Sequence, residues 1–275
     1  MSRPKSHELL STNPRPFIKW VGGKRQLLPA LLRLAPKKFA TFHEPFLGGG
    51  ALFFALRPKK AVLTDTNQRL VRTWCGVRDN VHSVIELLAS YPHDKDFFLA
   101  LRARDIDAES DVHVAAWFIY LNKTAFNGLY RVNSKNRFNV PFGRYVNPGI
   151  CDAANLRACS QALQGTEILH RDFASVAGRA EPGDFVYCDP PYVPLSATSY
   201  FTSYTAEGFS SADQERLRDL ALELKKRKVK VLLSNSGAGF VRELYKGFAL
   251  EEVLASRQIN CKAEGRGQIV ELVMR

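Results

Sequence analysis

The chain has 275 residues, 45% of them hydrophobic, which is enough for one large domain or for one domain with a sizeable insertion. Lysine and arginine outnumber aspartate and glutamate by 39 to 27, so the net charge is +12. This surplus favours a polyanionic partner such as nucleic acid, and it is equally compatible with a merely basic protein.

The composition predicts no metal centre and no membrane segment. Five cysteines are present, but no two form a CxxC pair and no histidine lies at a ligand-like spacing from them. No apolar run approaches the roughly 20 residues that span a bilayer. Residues 1–15 lack the apolar stretch of a secretory signal. We therefore expect a cytoplasmic protein with reduced thiols.

The amino-terminal part has the element order of a nucleotide-binding α/β sheet. The apolar spacing predicts a helix over 25–34 broken by Pro29, a strand over 42–46, a helix over 51–56, and a strand over 61–64. Three glycines follow the first strand, and Asp65 ends the second. The order of strand, glycine turn, helix, strand and acid indicates the first half of a doubly wound fold.

The pattern of residues 68–165 differs from that of the first part and predicts a mostly helical insertion. Helical spacing appears at 81–90, 112–121 and 153–163, with a polar loop rich in Asn and Arg at 122–149. Strands return at 166–170, 185–188 and 229–234, and 210–228 form an amphipathic helix. The strand-like segments 248–255 and 268–274 predict a terminal hairpin. The sheet domain then comprises 1–67 and 166–275.

The tetrapeptide Asp189-Pro190-Pro191-Tyr192 directly follows the apolar run 185–188. It therefore lies at the carboxyl end of a strand, where open α/β sheets bind ligands. The two prolines fix the backbone and remove two amide donors, which leaves the Asp189 side chain and the Pro190 carbonyl as acceptors. Two such acceptors suit a planar amine, and Tyr192 suits stacking on a base. The same residues also fit a rigid turn with an aromatic ring filling the core.

The segment that begins at Glu44, EPFLGGG, lets the backbone approach a ligand closely. It matches neither G-x-G-x-x-G nor a phosphate-binding loop with its lysine. Asp65 is placed to accept hydrogen bonds from ribose hydroxyls. A tight turn with a helix cap gives the same pattern. Similarly, Lys24 can pair with a carboxylate and Trp20 can shape a pocket, or both belong to a basic loop with a buried tryptophan.

In these motifs and their order the chain resembles the Dam-type, alpha-class adenine-specific DNA methyltransferases. The resemblance rests on FIKWVGGK at 17–24, EPFLGGGALF at 44–53, LTDTN at 63–67, NGLYRVN at 127–133, FNVPFGRY at 138–145 and YCDPPY at 187–192. It spans nearly the whole chain and implies a Rossmann-like sheet that binds S-adenosyl-L-methionine. It also implies that the insertion recognises a double-stranded DNA target, for which GATC is the preferred sequence. A bacterial or phage-encoded protein is expected on the same ground.

The resemblance also implies roles for individual residues. The catalytic set is Asp189, Pro190, Pro191 and Tyr192. The cofactor-binding set is Trp20, Lys24, Glu44, Pro45, Phe46, Gly48, Gly50, Asp65, Asp172, Phe173 and Asp189. The DNA-binding set is Lys19, Asn127, Leu129, Arg131, Asn133, Pro141 and Tyr145. Residues 260–267 match the basic hairpin loop of the family only loosely.

Two other functions stay open at the level of sequence. A methyltransferase of an RNA adenine or of a protein amide also acts on an sp² amine, and a non-catalytic DNA-binding protein can retain the same scaffold. Asn127 can be only a turn residue, and Arg131 can contact a phosphate rather than a base. The sequence does not indicate protein partners, the oligomeric state or an associated nuclease.

Overall fold

The computed structural model describes residues 13–22, 24, 26–193, 209–256 and 268–275. Its strands are β1 (Phe42–Glu44), β2 (Ala61–Asp65), β3 (Glu167–His170), β4 (Phe185–Cys188), β5 (Lys230–Ser236), β6 (Leu250–Ser256) and β7 (Gln268–Met274). They form one sheet in the order β3-β2-β1-β4-β5-β7-β6. The first five strands in this order are parallel, and β7 is antiparallel to both neighbours. The predicted Rossmann-like α/β sheet and its terminal hairpin are confirmed.

The described residues also form nine α-helices. These are α1 (Leu28–Leu34), α2 (Ala51–Leu56), α3 (Gln68–Asp79), α4 (Val81–Ser90), α5 (Lys95–Ala103), α6 (Asp111–Thr124), α7 (Ala153–Leu163), α8 (Ser211–Lys226) and α9 (Gly239–Leu244). Short 3-10 turns occur at Phe126–Gly128 and Phe173–Gly178. None of the helices in the described ranges is long and apolar enough to cross a membrane.

The element boundaries correct the sequence prediction in three ways. Pro29 does not break α1 but lies in its first turn, where the missing N–H has no helical partner to lose. β1 ends at Glu44, because Pro45 supplies no amide for the ladder. Helices α3, α5 and α9 were not predicted. Side-chain caps, from Asn67 to α3 and from Asp94 to α5, mark two of them.

The predicted insertion shares one hydrophobic core with the sheet. Helix α6 is buried on nearly every side, and its Trp117 belongs to the same cluster as Phe42 of β1 and Phe185 of β4. Arg69 of α3 lies with its guanidinium 5.4 Å from the centre of the Trp117 ring, and it binds Asp107 through two hydrogen bonds. Helices α3 and α6 are therefore held against the sheet by packed side chains.

Parallel strands give the sheet two chemically different ends. We call the side on which β1, β2, β4 and β5 finish the carboxyl edge, and the side on which they begin the amino edge. Glu44, Asp65 and Asp189 all lie where strands finish, at the carboxyl edge. Ligands of open α/β sheets bind at this edge.

Candidate active site and nucleic-acid interface

Asp189 is the centre of a polar cluster at the end of β4. The Lys24 ammonium forms a 2.9 Å ion pair with its Oδ1, and the side chains of Lys24 and Asp189 are 7% and 20% exposed. Ser234 also donates a 2.7 Å hydrogen bond to Oδ1. Because the Ser234 proton is used in this bond, the Tyr187 hydroxyl 2.9 Å away donates to Ser234. Lys24 additionally donates to the Gly22 carbonyl. The cluster holds the carboxylate in one orientation.

A second network fixes the backbone of the tetrapeptide. The Gln214 amide donates a 3.0 Å hydrogen bond to the Pro191 carbonyl. The Asn235 side chain accepts from the Val193 N–H and donates to Gln214, and both of these side chains are buried. The Ser236 hydroxyl donates to the Val193 carbonyl. Since prolines offer no amide of their own, the surrounding side chains provide the hydrogen bonds that set this turn.

Tyr192 is held at its hydroxyl and over its ring. Its hydroxyl donates a 3.1 Å hydrogen bond to Glu271 of β7, and the Lys24 ammonium lies 4.4 Å from the ring centre. Burial, together with the charge of Asp189, raises the pKa of Tyr192 well above its usual value, so the hydroxyl stays protonated and able to donate. Burial also raises the pKa of Glu271.

The glycine turn after β1 is bound to Asp65. Asp65 accepts hydrogen bonds from the Gly48 and Asn67 amides at 3.1 and 2.9 Å, while burial raises its pKa. Gly48 has a φ of +46°, and a Cβ there lies 2.7 Å from Cδ1 of Trp20. A residue larger than glycine therefore cannot fit between the turn and this ring without a shift.

Glu44 is a buried acid beside the cluster. The residue is 3% exposed, and its Oε2 has no hydrogen-bond partner. Burial, reinforced by the charge of Asp189, raises the pKa of Glu44 well above its usual value. Burial thus favours the protonated form of Glu44, and its Oε2 is an unused polar atom at the carboxyl edge.

Asp172 and Phe173 lie at the end of β3. Phe173 stacks on Phe46 with ring centres 5.3 Å apart, and Phe209 contacts both rings. Asp172 caps the following 3-10 turn and forms a 3.1 Å ion pair with Arg216 of α8. This arrangement joins Phe46 and Phe173, while Asp172 is engaged by α8 rather than by the Asp189 cluster.

The loop after α6 contacts the amino-terminal segment. The Asn122 side chain accepts from the Lys19 N–H and donates to the carbonyls of Lys19 and Gly128. The Lys19 ammonium donates to the Tyr145 hydroxyl at 3.3 Å and lies 4.4 Å from the centre of its ring. Two residues predicted to read DNA, Lys19 and Tyr145, are thereby brought together.

The remaining predicted DNA-binding residues surround this contact. Asn127, Arg131, Asn133 and Pro141 are exposed and Leu129 is half-buried. Arg131 is oriented by the side chain and carbonyl of Asn139, at 2.8 and 3.3 Å. Asn133 accepts from the amides of Lys135 and Arg137, so its oxygen stabilises the turn.

Comparison with known proteins identifies the family. The model of the D12 class N6 adenine-specific DNA methyltransferases matches residues 20–259. The chain belongs to this family. The chain is 48% identical to the type II methyltransferase M1.LlaDCHI of Lactococcus lactis subsp. cremoris, over 95% of both chains. It is 41% identical to M.MjaIII of Methanocaldococcus jannaschii, over 92% of this chain and 95% of that one. It is 35% identical to the DNA adenine methylase of Haemophilus influenzae, over 99% and 98%.

Membership decides between the functions that the sequence left open. The chain is an adenine-specific DNA methyltransferase, and the methyl-accepting group is an adenine amine in DNA. The surplus of positive charge and the cluster around Asp189 agree with this activity. The loop 260–267 lies outside the described residues, as do residues 1–12.

Some residues of this methyltransferase site were missed in the sequence. They are Gln214, Ser234, Asn235 and Glu271, which lie far from the tetrapeptide in the chain. The only feature of the sequence that could have identified them is the polar run Ser234–Ser236, which ends the largely buried strand β5. Phe126, which lies next to Asn127 and is 50% exposed, was also not identified.

Proposed function

We propose that this methyltransferase uses S-adenosyl-L-methionine to methylate N6 of an adenine flipped out of duplex DNA, with GATC as its target. The observation that carries the proposal is the Asp189 cluster beside the Gly48 turn, both at the carboxyl edge of a Rossmann-like sheet. The Gly48 turn suits a nucleoside cofactor, and the Asp189 cluster suits a planar amine.

The residues at the turn fit the cofactor. The close approach of Gly48 to Trp20 leaves no room for a side chain on the turn, as a nucleoside-binding loop requires. The unpartnered Oε2 of Glu44 offers a buried polar atom. We assign Lys24 to the cofactor carboxylate, Asp65 to ribose hydroxyls, and the Phe46–Phe173 pair with Asp172 to the adenine ring. Pro45 and Gly50 shape the same loop.

The chain's own residues prepare the amine. When bound, the cofactor supplies an electrophilic methyl group. Asp189 and the Pro190 carbonyl accept hydrogen bonds from the two N–H groups of the adenine amine, which localises the nitrogen lone pair. Pro191 keeps the turn rigid, and Tyr192 stacks on the flipped base. The new bond from N6 to the methyl carbon would replace the methyl–sulfur bond, with S-adenosyl-L-homocysteine as the leaving group, and one amine proton would leave along the hydrogen bond to Asp189. Positioning supplies most of the rate, because no strong base is needed before the nitrogen attacks.

The exposed loop after α6 is assigned to the target sequence. Arg131 is assigned to a guanine, because a guanidinium can bind O6 and N7 together. Leu129 and Pro141 are assigned to a thymine methyl group, and Lys19 with Tyr145 to a neighbouring base or phosphate. Asn127 and Asn133 complete the interface. In this proposal 68–165 form the recognition part, 1–67 with 166–275 form the catalytic part, and the enzyme acts in the cytoplasm.

Asp189→Ala tests the mechanism. Loss of the acceptor is expected to lower methyl transfer by at least roughly 10²- to 10³-fold while duplex binding persists. Tritium transfer and a gel-shift titration measure the two quantities on a duplex with one GATC. Asp219→Ala, at an exposed carboxylate of α8, is the matched control. Near-normal transfer by Asp189→Ala would show that the proposed acceptor is not required.

The same assay tests the target. RNA and protein acceptors are expected to receive no tritium, and a duplex with GATC replaced by a permuted site is expected to receive far less than the GATC duplex. Equal transfer to both duplexes contradicts the GATC assignment without affecting the role of Asp189. Isothermal titration of S-adenosyl-L-methionine against wild type and Asp65→Ala tests the cofactor assignment separately.

A further inference from the structure

Six exposed lysines lie along the amino edge, on the side of the sheet away from Asp189. They are Lys37 and Lys38 before β1, Lys59 and Lys60 before β2, and Lys228 and Lys230 at the start of β5. The catalytic chemistry described above uses none of them. Because the strands are parallel, all three pairs are carried to the same end of the molecule.

Hydrogen bonds between the strand starts show that these lysines are close together. The Lys60 carbonyl accepts from the Phe42 amide at 3.0 Å, which links the starts of β2 and β1. The Gly183 amide donates to the Lys228 carbonyl at 3.1 Å, which links the approaches to β4 and β5. The Lys230 ammonium itself donates to the Lys38 carbonyl. With neighbouring strands about 4.8 Å apart, the four strand starts span only about 15 Å.

The positive charge of this row is not neutralised by the fold. Across the described part of the chain, none of the six ammonium groups lies within 4.0 Å of a carboxylate. The nearby Asp184 is buried and engaged by His43 and by the amides of Thr41 and Glu181. Glu181 is exposed, but it does not pair with a lysine of the row.

Helix capping does not account for the row. Cations stabilise a helix only within its last turn, and α1 and α8 already carry Arg33, Lys225 and Lys226 there. The six lysines come two or more residues after the helices end. Their number and their exposure therefore exceed what local stability requires.

We propose that the amino edge binds the phosphates of a second DNA duplex. The edge is separated from Asp189 by the length of β4, about 13 Å for four residues, so a duplex bound there cannot present its adenine for methylation. Binding to a lipid surface depends on apolar side chains as well as on charge. None of the exposed large hydrophobic side chains in the described ranges lies in 37–41, 57–60 or 228–230, so duplex DNA fits this edge better. The enzyme then holds two DNA segments at once and can pass between them.

A bridging experiment tests the proposal. One short duplex carries a donor dye and a single methylation site, and a second carries an acceptor dye and no site. Wild type is expected to bring the two dyes together at low salt. Sedimentation of the bridged species is expected to give one protein per two duplexes. Absence of energy transfer, or two protein copies per bridged pair, overturns the proposal.

Lys38→Gln/Lys60→Gln is the informative variant. Removing two phosphate contacts is expected to weaken capture of the second duplex roughly 10- to 100-fold at 0.1 M salt, and to reduce the salt slope by about 2. Methylation of a short single-site duplex is expected to stay at the wild-type rate. Lys95→Gln/Arg157→Gln removes the same charge from exposed positions on α5 and α7 and is the matched control.

The outcomes separate a local surface from a general charge effect. Loss of bridging in the edge variant alone supports the proposal. An equal loss in the control variant overturns it, because net charge then suffices. Loss of methylation together with bridging also overturns it, since the lysines then serve the first duplex. Unchanged bridging with weaker binding to vesicles containing phosphatidylserine assigns the edge to a lipid surface and overturns it as well.

Discussion

The two edges of the sheet differ in whether their charged groups have partners. At the carboxyl edge, Asp65 and Asp189 each accept at least two hydrogen bonds or ion pairs, and Glu44 is buried. At the amino edge, six exposed lysines have no carboxylate within ion-pair distance in the described chain. Chemistry on one small amine needs groups that are fixed before the substrate arrives, whereas attraction of phosphates needs only charge.

Removing the buried amide network is expected to have the largest effect on the carboxyl edge. Asn235→Leu leaves the Val193 N–H and the side-chain Oε1 of Gln214 without their partner in the core. Each such group costs about 1–3 kcal/mol, so the free energy of unfolding is expected to fall by about 2–6 kcal/mol. Urea denaturation measures it, with the exposed Gln161→Leu as control, expected to change by less than about 0.5 kcal/mol. Equal values for the two variants contradict a fixed carboxyl edge.

A variant of Arg131 tests whether an oriented cation reads a base. The side chain and carbonyl of Asn139 orient the Arg131 guanidinium, whereas in the described chain the only such bond of an amino-edge lysine is that of Lys230 to the Lys38 carbonyl. Arg131→Ala is therefore expected to relax the choice of one base pair by about 1–3 kcal/mol. Methylation rates on a set of duplexes with single substitutions in the site measure this. A uniform loss on all duplexes would make Arg131 a phosphate contact, like the lysines.

Glu44 tests whether the carboxyl edge holds a neutral acid. Its raised pKa means that the native protein binds a proton which the unfolded chain releases above the usual value of 4.5. The free energy of unfolding is thus expected to fall as the pH rises from that value towards the native pKa, by at most about 1.4 kcal/mol per pH unit. Glu44→Gln mimics the protonated acid and is expected to flatten the profile. Identical profiles for wild type and Glu44→Gln above the usual value of 4.5 exclude this role.

The sequence predicted the parts of the site that are local in the chain. The tetrapeptide at 189–192, the glycine turn and Asp65 each follow a recognisable apolar strand, so their place at the carboxyl edge was readable. The bounds of α4 and α7 also agreed with the prediction, because each helix has one apolar face. Asn235 and Glu271 could not be identified in this way. They meet the tetrapeptide only because β5 lies beside β4, and β7 beside β5.

Helix α3 shows a second limit of sequence reasoning. Its buried face includes Arg69 and Thr73 among the apolar residues, so its pattern resembles that of a polar surface segment. The guanidinium of Arg69 is buried because Asp107 neutralises it and Trp117 packs against it. Arg69 is buried because of partners about 40 or more residues further along the chain. The spacing of hydrophobic residues within α3 carries no information about those partners.

Glu271 gives the smallest expected effect and the finest test of the carboxyl edge. Its carboxyl accepts the hydrogen bond of the Tyr192 hydroxyl, so Glu271→Ala frees the ring that we assign to stacking on the flipped adenine. One hydrogen bond contributes about 1 kcal/mol, which predicts a fall of roughly five- to tenfold in kcat with little change in KM. Glu271→Gln retains an acceptor and is expected to restore most of the rate.

Fluorescence of 2-aminopurine at the target position separates positioning from general stability. A base stacked on a fixed Tyr192 is quenched, so Glu271→Ala is expected to raise the emission of the bound duplex and Glu271→Gln to leave it low. Glu252 lies on the neighbouring strand β6, and Glu252→Ala breaks its exposed ion pair with Arg242 of α9, so this variant is the control for charge removal. If Glu271→Ala lowers the melting temperature while emission and kcat match the control, Glu271 stabilises the sheet and does not position the ring.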